Sequence, residues 1–466
     1  MFTITVITKD GEKKAEYNER ILLSDALADV GINHDKPCGG KGTCKKCTVV
    51  ANGEKVLACM TYAESDTIID YTTDSEDIQG IVFAKGTDFE KKPLIESGYG
   101  LAVDIGTTTI AGYLYKFPEC ELAESTGLAN LQKAHGADVI SRIEYASSGG
   151  SDTLKDELFT QINALANGYN IEKYVVTGNT TMLHFLTGLD ASGIAVAPFT
   201  PKSLFGEWYD NIYTPRCISS YVGADITCAI IASGMMKDKV SFLVDIGTNG
   251  EMAVFKDGKL FCCSTAAGPA FEGANISAGM LGTEGAINKV YIEDGKICYT
   301  TIGNKKAIGI CGTGLIDAVG CMLETGALDE SGYLEDDFEI GTSGIFITPA
   351  DIRQLQLAKS AIRAGIDTLL HKCNVTPNEL DSFYIAGGFG SFIDKYSAAK
   401  IGLIPKEATE KVKVIGNGAG QGACMLLLNR DMIKMSEEIA DNAITIELST
   451  DEFFMNSYME NMFFNE

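Results

Sequence analysis

Phe242-Leu-Val-Asp245-Ile-Gly247-Thr248-Asn249-Gly250-Glu251 is the stretch that decides how this chain folds. It reads as an apolar strand that ends in a carboxylate and breaks into a Gly-Thr turn. A second strand, Met252-Ala-Val-Phe255, comes directly after it. Such a turn offers backbone N–H groups and a Thr hydroxyl to an anion, beside an acid that can hold Mg²⁺ through water. One Asp-x-Gly-Thr is a weak signal, since many strands end this way. The pattern gains weight because Leu101-Ala-Val-Asp104-Ile-Gly106-Thr107-Thr108-Thr109, running on to Tyr115, is the same strand, turn and return strand. The repeat predicts two related halves that face each other across a nucleotide.

The two turns resemble the phosphate-1 and phosphate-2 hairpins of the actin-like ATPase superfamily, which includes acetate kinase, sugar kinases and hexokinase. The rest of that pattern is present in order. Tyr221-Val-Gly223-Ala224-Asp225 precedes the second turn, where the superfamily has its first connecting helix. Phe383-Tyr-Ile-Ala-Gly387-Gly388-Phe-Gly390 resembles the adenosine motif, a strand ending in a glycine pair on which the nucleotide lies flat. Gly416-Asn-Gly418-Ala-Gly420-Gln-Gly422-Ala-Cys-Met resembles the second connecting helix. The resemblance implies that Asp104 and Asp245 serve Mg²⁺ and catalysis. It assigns Gly106, Thr107, Thr108, Gly247, Thr248 and Asn249 to the phosphates, and Gly387 and Gly388 to the adenosine. The plain alternative is a glycine-rich α/β protein without ATP.

Composition narrows the class. At 466 residues the chain has room for two to four domains, and its 45% hydrophobic content supports real cores. A net charge of −25 argues against a nucleic-acid partner, because neutralising phosphates needs a basic face. No apolar run of about 18 residues occurs, so no transmembrane helix is expected. Met1-Phe-Thr-Ile-Thr-Val-Ile-Thr reads as a first strand and not as a signal sequence, which leads to a cytoplasmic expectation. The 14 cysteines are too scattered for a disulfide framework. Most, such as Cys228, Cys321 and Cys424, sit singly in apolar segments and read as core thiols. Four form a cluster.

That cluster lies in residues 1–75, which read as a separate small unit. Strand signals flank Asp10-Gly11, a short helix is expected over Ile21–Val30, and Pro37-Cys38-Gly-Gly-Lys-Gly-Thr-Cys44-Lys-Lys-Cys47 precedes a strand, the turn Asn52-Gly53, and Cys59. The spacing is C-x5-C-x2-C-x11-C. Four thiolates can bind zinc or an iron–sulfur cluster. The glycines between Cys38 and Cys44 let backbone N–H groups wrap bridging sulfides where side chains would clash. A zinc knuckle usually pairs two C-x2-C units, and here there is one. A [2Fe–2S] cluster on Cys38, Cys44, Cys47 and Cys59 is the favoured reading, with zinc and plain thiols as alternatives. The block resembles the β-grasp [2Fe–2S] ferredoxins, although its first gap is one residue longer than the plant-type C-x4-C-x2-C spacing. Residues 76–97 are polar, mix both signs of charge and end near Pro93, which reads as a linker: either a tether or a packed connector.

The expected fold is α+β: a β-grasp ferredoxin-like domain and then a duplicated, ribonuclease H-like α/β ATPase, its first half 98–225 and its second half 226–466, closing with a strand and a helix. Gly178-Asn179-Thr180-Thr181 either caps a helix or meets the nucleotide. His184, among Met, Leu and Phe, reads as a satisfied core histidine. Cys262 to Ile276 reads as a loop after the second hairpin, with Cys262 and Cys263 facing opposite sides. Its Glu272 either positions water or metal or closes a turn. Ile308 to Asp317 is another Gly-rich strand-to-helix turn, suited to a nucleotide contact or to tight packing. The aromatics of the lysine-free tail are expected to pack back on the ATPase.

A low-potential electron carrier and an actin-like ATPase on one chain suggest an uphill one-electron transfer. Each deficit of about 59 mV costs about 1.4 kcal/mol for one electron. ATP offsets this only by stabilising a state in which the acceptor is easier to reduce. Over both parts the chain resembles the reductive activators of corrinoid proteins, through Cys-Gly-Gly-Lys-Gly-Thr-Cys-Lys-Lys-Cys, the Asp-Ile-Gly-Thr pair, Gly-Asn-Thr-Thr-Met, Gly-Pro-Ala-Phe-Glu-Gly-Ala and Ile-Ala-Gly-Gly-Phe-Gly. The resemblance implies return of a Co(II) corrinoid to Co(I) in anaerobic methyl transfer, with a [2Fe–2S] cluster, ATP and Mg²⁺ as cofactors. The implied partners are a corrinoid protein (a methyltransferase corrinoid subunit or a corrinoid iron–sulfur protein) and a low-potential electron donor, with a homodimer open. The loop with Ser264 and Glu272 is the expected corrinoid-facing side. Unlike longer members, the chain has little room for a linker domain between cluster and ATPase. Alternatives are an ATP/redox sensor, an activator of another low-potential enzyme, and a small-molecule kinase.

Overall fold

The computed structural model describes residues 1–8, 11–32, 47–71, 89–388 and 392–464. It is a mixed α and β chain. The N-terminal part has strands β1 (Phe2–Thr8), β2 (Gly11–Tyr17), β3 (Ile21–Leu22), β4 (Thr48–Ala51), β5 (Glu54–Leu57), β6 (Tyr62–Ala63) and β7 (Thr67–Asp70). Five of them form one sheet in the order β2-β1-β7-β4-β5, with β1 and β7 parallel at its centre. Alternation buries Ile4 and Val6 against Leu23, Leu27, Val49 and Ile69 in a core of their own. The expected helix starts later than its apolar spacing suggested. Ile21-Leu22 pair with Tyr62-Ala63 as a two-residue ladder, and the helix runs Leu23–Asp29. The turn Asn52-Gly53 is confirmed, both residues at positive φ between β4 and β5. The turn at Asp10 and the segment holding Cys38 and Cys44 lie outside the described residues.

The rest of the chain builds two larger sheets. The first holds β8 (Gly98–Ile105), β9 (Thr109–Phe117), β10 (Glu121–Ala129), β11 (Ile171–Gly178), β12 (Glu207–Tyr209) and β13 (Ile212–Thr214) in the order β10-β9-β8-β11-β13-β12. The second is formed from β14 (Val240–Ile246), β15 (Asn249–Lys256) and β16 (Lys259–Ala266), with later strands of the chain. Between these come β17 (Ala286–Glu293), β18 (Lys296–Thr301) and β19 (Gly309–Ile310) in a side sheet, and the pair β20 (Phe338–Glu339) and β21 (Phe346–Ile347). The last strands are β22 (Ser382–Ala386), β23 (Val412–Gly416) and β24 (Ile444–Thr445), giving the order β23-β22-β14-β15-β16-β24. Both sheets therefore use one plan. Three antiparallel strands meander, and two strands parallel to the first extend its other edge.

Strand alternation assigns each face. Leu101, Val103 and Ile105 enter an outer core with the helices Ser151–Leu165 and Thr180–Thr187. Phe242, Val244 and Ile246 enter a different outer core with the helices Gly312–Thr325 and Pro349–Lys372. Ala102 and Leu243 face a shared middle layer containing the helices Ala224–Ser233 and Gly418–Leu428. By the same period of two, Asp104 and Asp245 point toward that middle layer. The two helices approach closely: a Cβ on Gly422 would lie 2.2 Å from the Cys228 carbonyl oxygen.

Several expectations are refined. Residues 89–95 are a packed connector, not a free tether. Lys92 and Leu94 N–H groups donate to the Leu428 and Leu427 carbonyls, and Ile95 is buried. Cys262 to Ala266 belong to strand β16, so the loop begins only at Ala267. Cys262 and Cys263 enter different cores, as expected of neighbours on a strand. His184 is a core residue, its Nδ1 2.6 Å from the Thr180 carbonyl and its Nε2 accepting from Lys202 N–H. In the tail only Ile444–Thr445 pairs as strand, along β16. The helix Glu452–Glu460 packs on Pro349–Lys372, and Phe464 is buried. No described helix is long and apolar enough to cross a membrane.

Candidate functional site

The two hairpin turns face one cleft. Each begins where a central strand runs out: Gly106 N–H closes on the Thr109 carbonyl, and Gly247 N–H on the Asn249 carbonyl. Glycine is required at the first turn, where a Cβ would sit 2.7 Å from the Thr109 oxygen. The side chain of Glu272 joins the turns. Its Oε2 accepts from Thr108 Oγ1 at 2.6 Å and from Thr248 Oγ1 at 2.9 Å. Glu272 ends a single helical turn, Pro269–Glu272, set between Gly268 and Gly273, both at positive φ. Its Oε1 lies 3.7 Å from where a Cβ on Gly247 would be. The sequence left Glu272 between a positioning role and a turn closure; it occupies the space directly over the second turn and bonds across to the first.

Below the turns lie four acids, Glu251 buried and the other three half-buried. Asp104 and Asp245 end their strands, and Glu251 stands opposite Asp245 in the β14–β15 register. Asp225 opens the helix Ala224–Ser233. Burial, first, and the neighbouring carboxylates push Asp245 up to about 8 and Asp104 up to about 7. Burial likewise raises Asp225 to about 6 and lifts Glu251 well above the carboxylate range. Among the described residues no lysine or arginine makes an ion pair with any of the four. Nor do any three such side chains close on one point of direct metal coordination. Carboxyl groups crowded so that each raises the others, with no cationic side chain paired to them among the described residues, fit a hydrated divalent cation, which takes one or two carboxylates and keeps its water.

Helix starts surround the acids. Asn417 caps Gly418–Leu428 through its Oδ1 to Gly420 N–H at 2.7 Å, while its Nδ2 donates to Asp104 Oδ2 at 2.9 Å. Asn179 caps Thr180–Thr187 and also reaches Thr107 Oγ1 at 3.4 Å, so Gly-Asn-Thr-Thr both caps and touches the first turn. Positive helix ends favour anions here. Gly387, at φ +101°, lies so close that a Cβ would be 2.8 Å from Asp245 Oδ1. Around Gly388 a Cβ would meet nothing within 4 Å, and Phe389 and Gly390 of the same motif lie outside the described residues. The Ile308–Asp317 turn is tight packing: a Cβ on Gly314 would be 2.2 Å from the Ile287 oxygen. Sequence reasoning passed over Asp225, Glu251 and Asn417 as site residues, though all three stand inside motifs that it quoted.

In the N-terminal part, Cys47 and Cys59 are buried, and the Cys47 thiol donates to the Cys59 sulfur at 3.0 Å, with no disulfide between them. Ala58 N–H donates to the Cys47 carbonyl and fixes the two segments together.

Known proteins match this chain over both parts. The family description "RACo middle region" matches residues 99–238, and "C-terminal domain of RACo the ASKHA domain" matches residues 239–466. ASKHA is the actin-like ATPase fold that the hairpins resemble. The chain is 32% identical over 585 aligned positions to the corrinoid activation enzyme RamQ of Eubacterium limosum, covering 98% of each. It is 27% identical to the Co(II) methylated amine-specific corrinoid protein reductase of Methanosarcina barkeri, over 78% of this chain and 76% of that one. Among solved structures, a reductive activator for corrinoid, iron-sulfur protein matches with TM-score 0.74 and 29% identity, covering 100% of this chain and 98% of that one.

Proposed function

The chain belongs to the RACo family, and from that membership we propose that it is an ATP-dependent reductive activator of a corrinoid protein, returning cobalt from Co(II) to Co(I). The observation that carries the reading is one chain holding both a duplicated hairpin over acids that make no ion pair among the described residues and a small sheet that brings Cys47 and Cys59 together. The corrinoid-directed names of the relatives support the substrate class.

In this reading Asp104 and Asp245 hold Mg²⁺ through water, with Asp225 and Glu251 adding to the field. Gly106, Thr107, Thr108, Gly247, Thr248 and Asn249 receive the phosphates of ATP. Gly387 and Gly388 receive the adenosine. Glu272 accepts from the same Thr108 and Thr248 hydroxyls that this reading gives to the phosphates. MgATP therefore has to displace Glu272, and that displacement is the differential contact through which the nucleotide biases the conformation.

Residues 1–75 form a β-grasp ferredoxin-like domain in the same reading. The parallel β1–β7 centre and the facing sulfurs of Cys47 and Cys59 support it. With Cys38 and Cys44 these thiols hold a [2Fe–2S] cluster, which supplies a one-electron carrier when bound. Residues 76–97 link it to the halves 98–225 and 226–466. A low-potential one-electron donor, a cytoplasmic setting and a corrinoid protein partner complete the proposal, with a homodimer as a further expectation.

The test is an anaerobic absorbance assay on iron-reconstituted protein, with a Co(II) corrinoid protein and a low-potential reductant. The expected result is the Co(I) spectrum only when MgATP is added. Failure across a panel of corrinoid proteins, with the cluster spectrum and ATP binding intact, overturns the activator reading in favour of a sensor or kinase.

A further inference from the structure

The first turn is held from behind by a charge that no sequence motif announces. Arg142 is completely buried in the helix Val139–Tyr145, whose start is fixed by a capping box between Asp138 and Ser141. Its Nη2 donates to the Thr107 carbonyl at 2.6 Å and its Nε to the Gly136 carbonyl at 3.0 Å. Its Nη1 meets only the Met182 sulfur at 3.7 Å. Among the described residues it makes no ion pair. Burial pulls its pKa down to about 10, which leaves it charged at neutral pH.

A neighbouring contact does the same for the preceding peptide. Asn130, also buried, donates from Nδ2 to the Gly106 carbonyl at 2.8 Å. In a planar trans peptide the C=O and the next residue's N–H point in opposite directions. With the Gly106 and Thr107 carbonyls drawn back, the N–H groups of Thr107 and Thr108 point the other way, and no described acceptor takes either. Two consecutive free N–H groups form an anion-binding concavity. The second turn has no such side chain behind Thr248, whose carbonyl is held by the Gly268 N–H.

We propose that Arg142, seconded by Asn130, is a positioning residue for the phosphate chain: it aims the Thr107 and Thr108 N–H groups at the phosphates and sets a positive charge behind them. This rests on the nucleotide reading of the cleft. The carboxylates of Asp138, Glu272 and Glu157 already act favourably on this cation, and the phosphates would add to them from the open side of the turn.

The experiment is calorimetric titration of wild type, R142Q, R142K and N130A with MgATP, MgADP, AMP and adenosine. The expected result for R142Q is a loss of about 10- to 100-fold for ATP and ADP, the scale of losing charge-assisted hydrogen bonds, with adenosine unchanged. R142K, which keeps the charge on fewer donors, recovers part of the loss. N130A repeats the phosphate-graded loss at smaller size and decides the matter if R142Q does not fold. An equal loss for adenosine and ATP, or no loss for either, overturns the proposal. A wild type that binds none of the four overturns the nucleotide reading itself.

Discussion

Replacing Glu272 with alanine should make this protein bind nucleotide more tightly and use it less well. One Glu272 oxygen accepts from Thr108 and Thr248 at 2.6 and 2.9 Å. Hydrogen bonds to a charged group contribute about 1.5 kcal/mol each at the low end, net of water, so the pair is worth about 3 kcal/mol. Wild type breaks both before the phosphates take the threonines; the variant has nothing to break and loses a repelling negative charge. At about 1.4 kcal/mol per tenfold, that is roughly 100-fold in affinity if the pair is recovered in full, and a tenfold gain is the expected floor. E272Q, with a neutral acceptor in place, should fall between. Calorimetry with MgADP and a non-hydrolysable ATP analogue measures the gain, and phosphate release with and without a corrinoid partner measures the loss of coupling. Unchanged or weaker binding by E272A would refute the reasoning, because then the carboxylate does not hold the place of the phosphates.

Three other outcomes are expected. Cys47→Ser should bleach most of the visible absorbance of iron-reconstituted protein and leave MgATP affinity intact; losing both together would contradict two separable modules. Asp245 and Asp104, raised to about 8 and about 7 against about 4 in an unfolded chain, make the folded state hold more protons over that interval. Stability without metal should then fall as pH rises from about 4 to about 8, and the gain in melting temperature on adding MgCl₂ should grow from pH 6 to pH 8; a gain that shrinks over that range argues against a cation at these acids. Gly387→Ala combines a positive φ with a Cβ 2.7 Å from the Ile246 oxygen and 2.8 Å from Asp245 Oδ1. It should cost about 1–3 kcal/mol in urea unfolding and weaken Mg²⁺ binding; a variant as stable as wild type would mean the motif is loosely packed.

The fold was legible where local chemistry and tertiary context agree. Phe2–Thr8 alternates apolar and polar residues and is a strand, and Asn52-Gly53 is a turn because both residues accept positive φ. Misreadings occurred where context decided. Ile21 and Leu22 share helical spacing with Leu23 to Val30, yet their backbone groups pair with Tyr62-Ala63 across the small unit. The composition of the linker ending in residues 89–95 fits both a tether and a packed connector, and so leaves the two open. The backbone of 89–95 lies along the end of Gly418–Leu428, more than three hundred positions away, where Asn429 Nδ2 donates to the Glu90 carbonyl at 2.7 Å. No local rule reports a partner at that distance.

The site divides along a different line, and the reason is the duplication itself. The residues standing in both halves were visible because they appear twice: Asp104 with Asp245, Gly106 with Gly247 and Thr107 with Thr248. Those standing in one half were not. Glu251 faces Asp245 across the hairpin, but the residue facing Asp104 is Ala111, so comparing the repeats hides the extra acid. Asn417 bonds Asp104 and has no counterpart at Asp245. Arg142 and Asn130 brace the first turn, whereas a backbone N–H from Gly268 braces the second. The two hairpins are thus alike in backbone and unlike in their surroundings. The second adds Glu251 beside its strand-end acid, and the first adds the buried Arg142 behind its turn. On the nucleotide reading proposed above, a metal and a phosphate laid between them would have one orientation of low energy, so the asymmetry that the repeat conceals would give the cleft its direction.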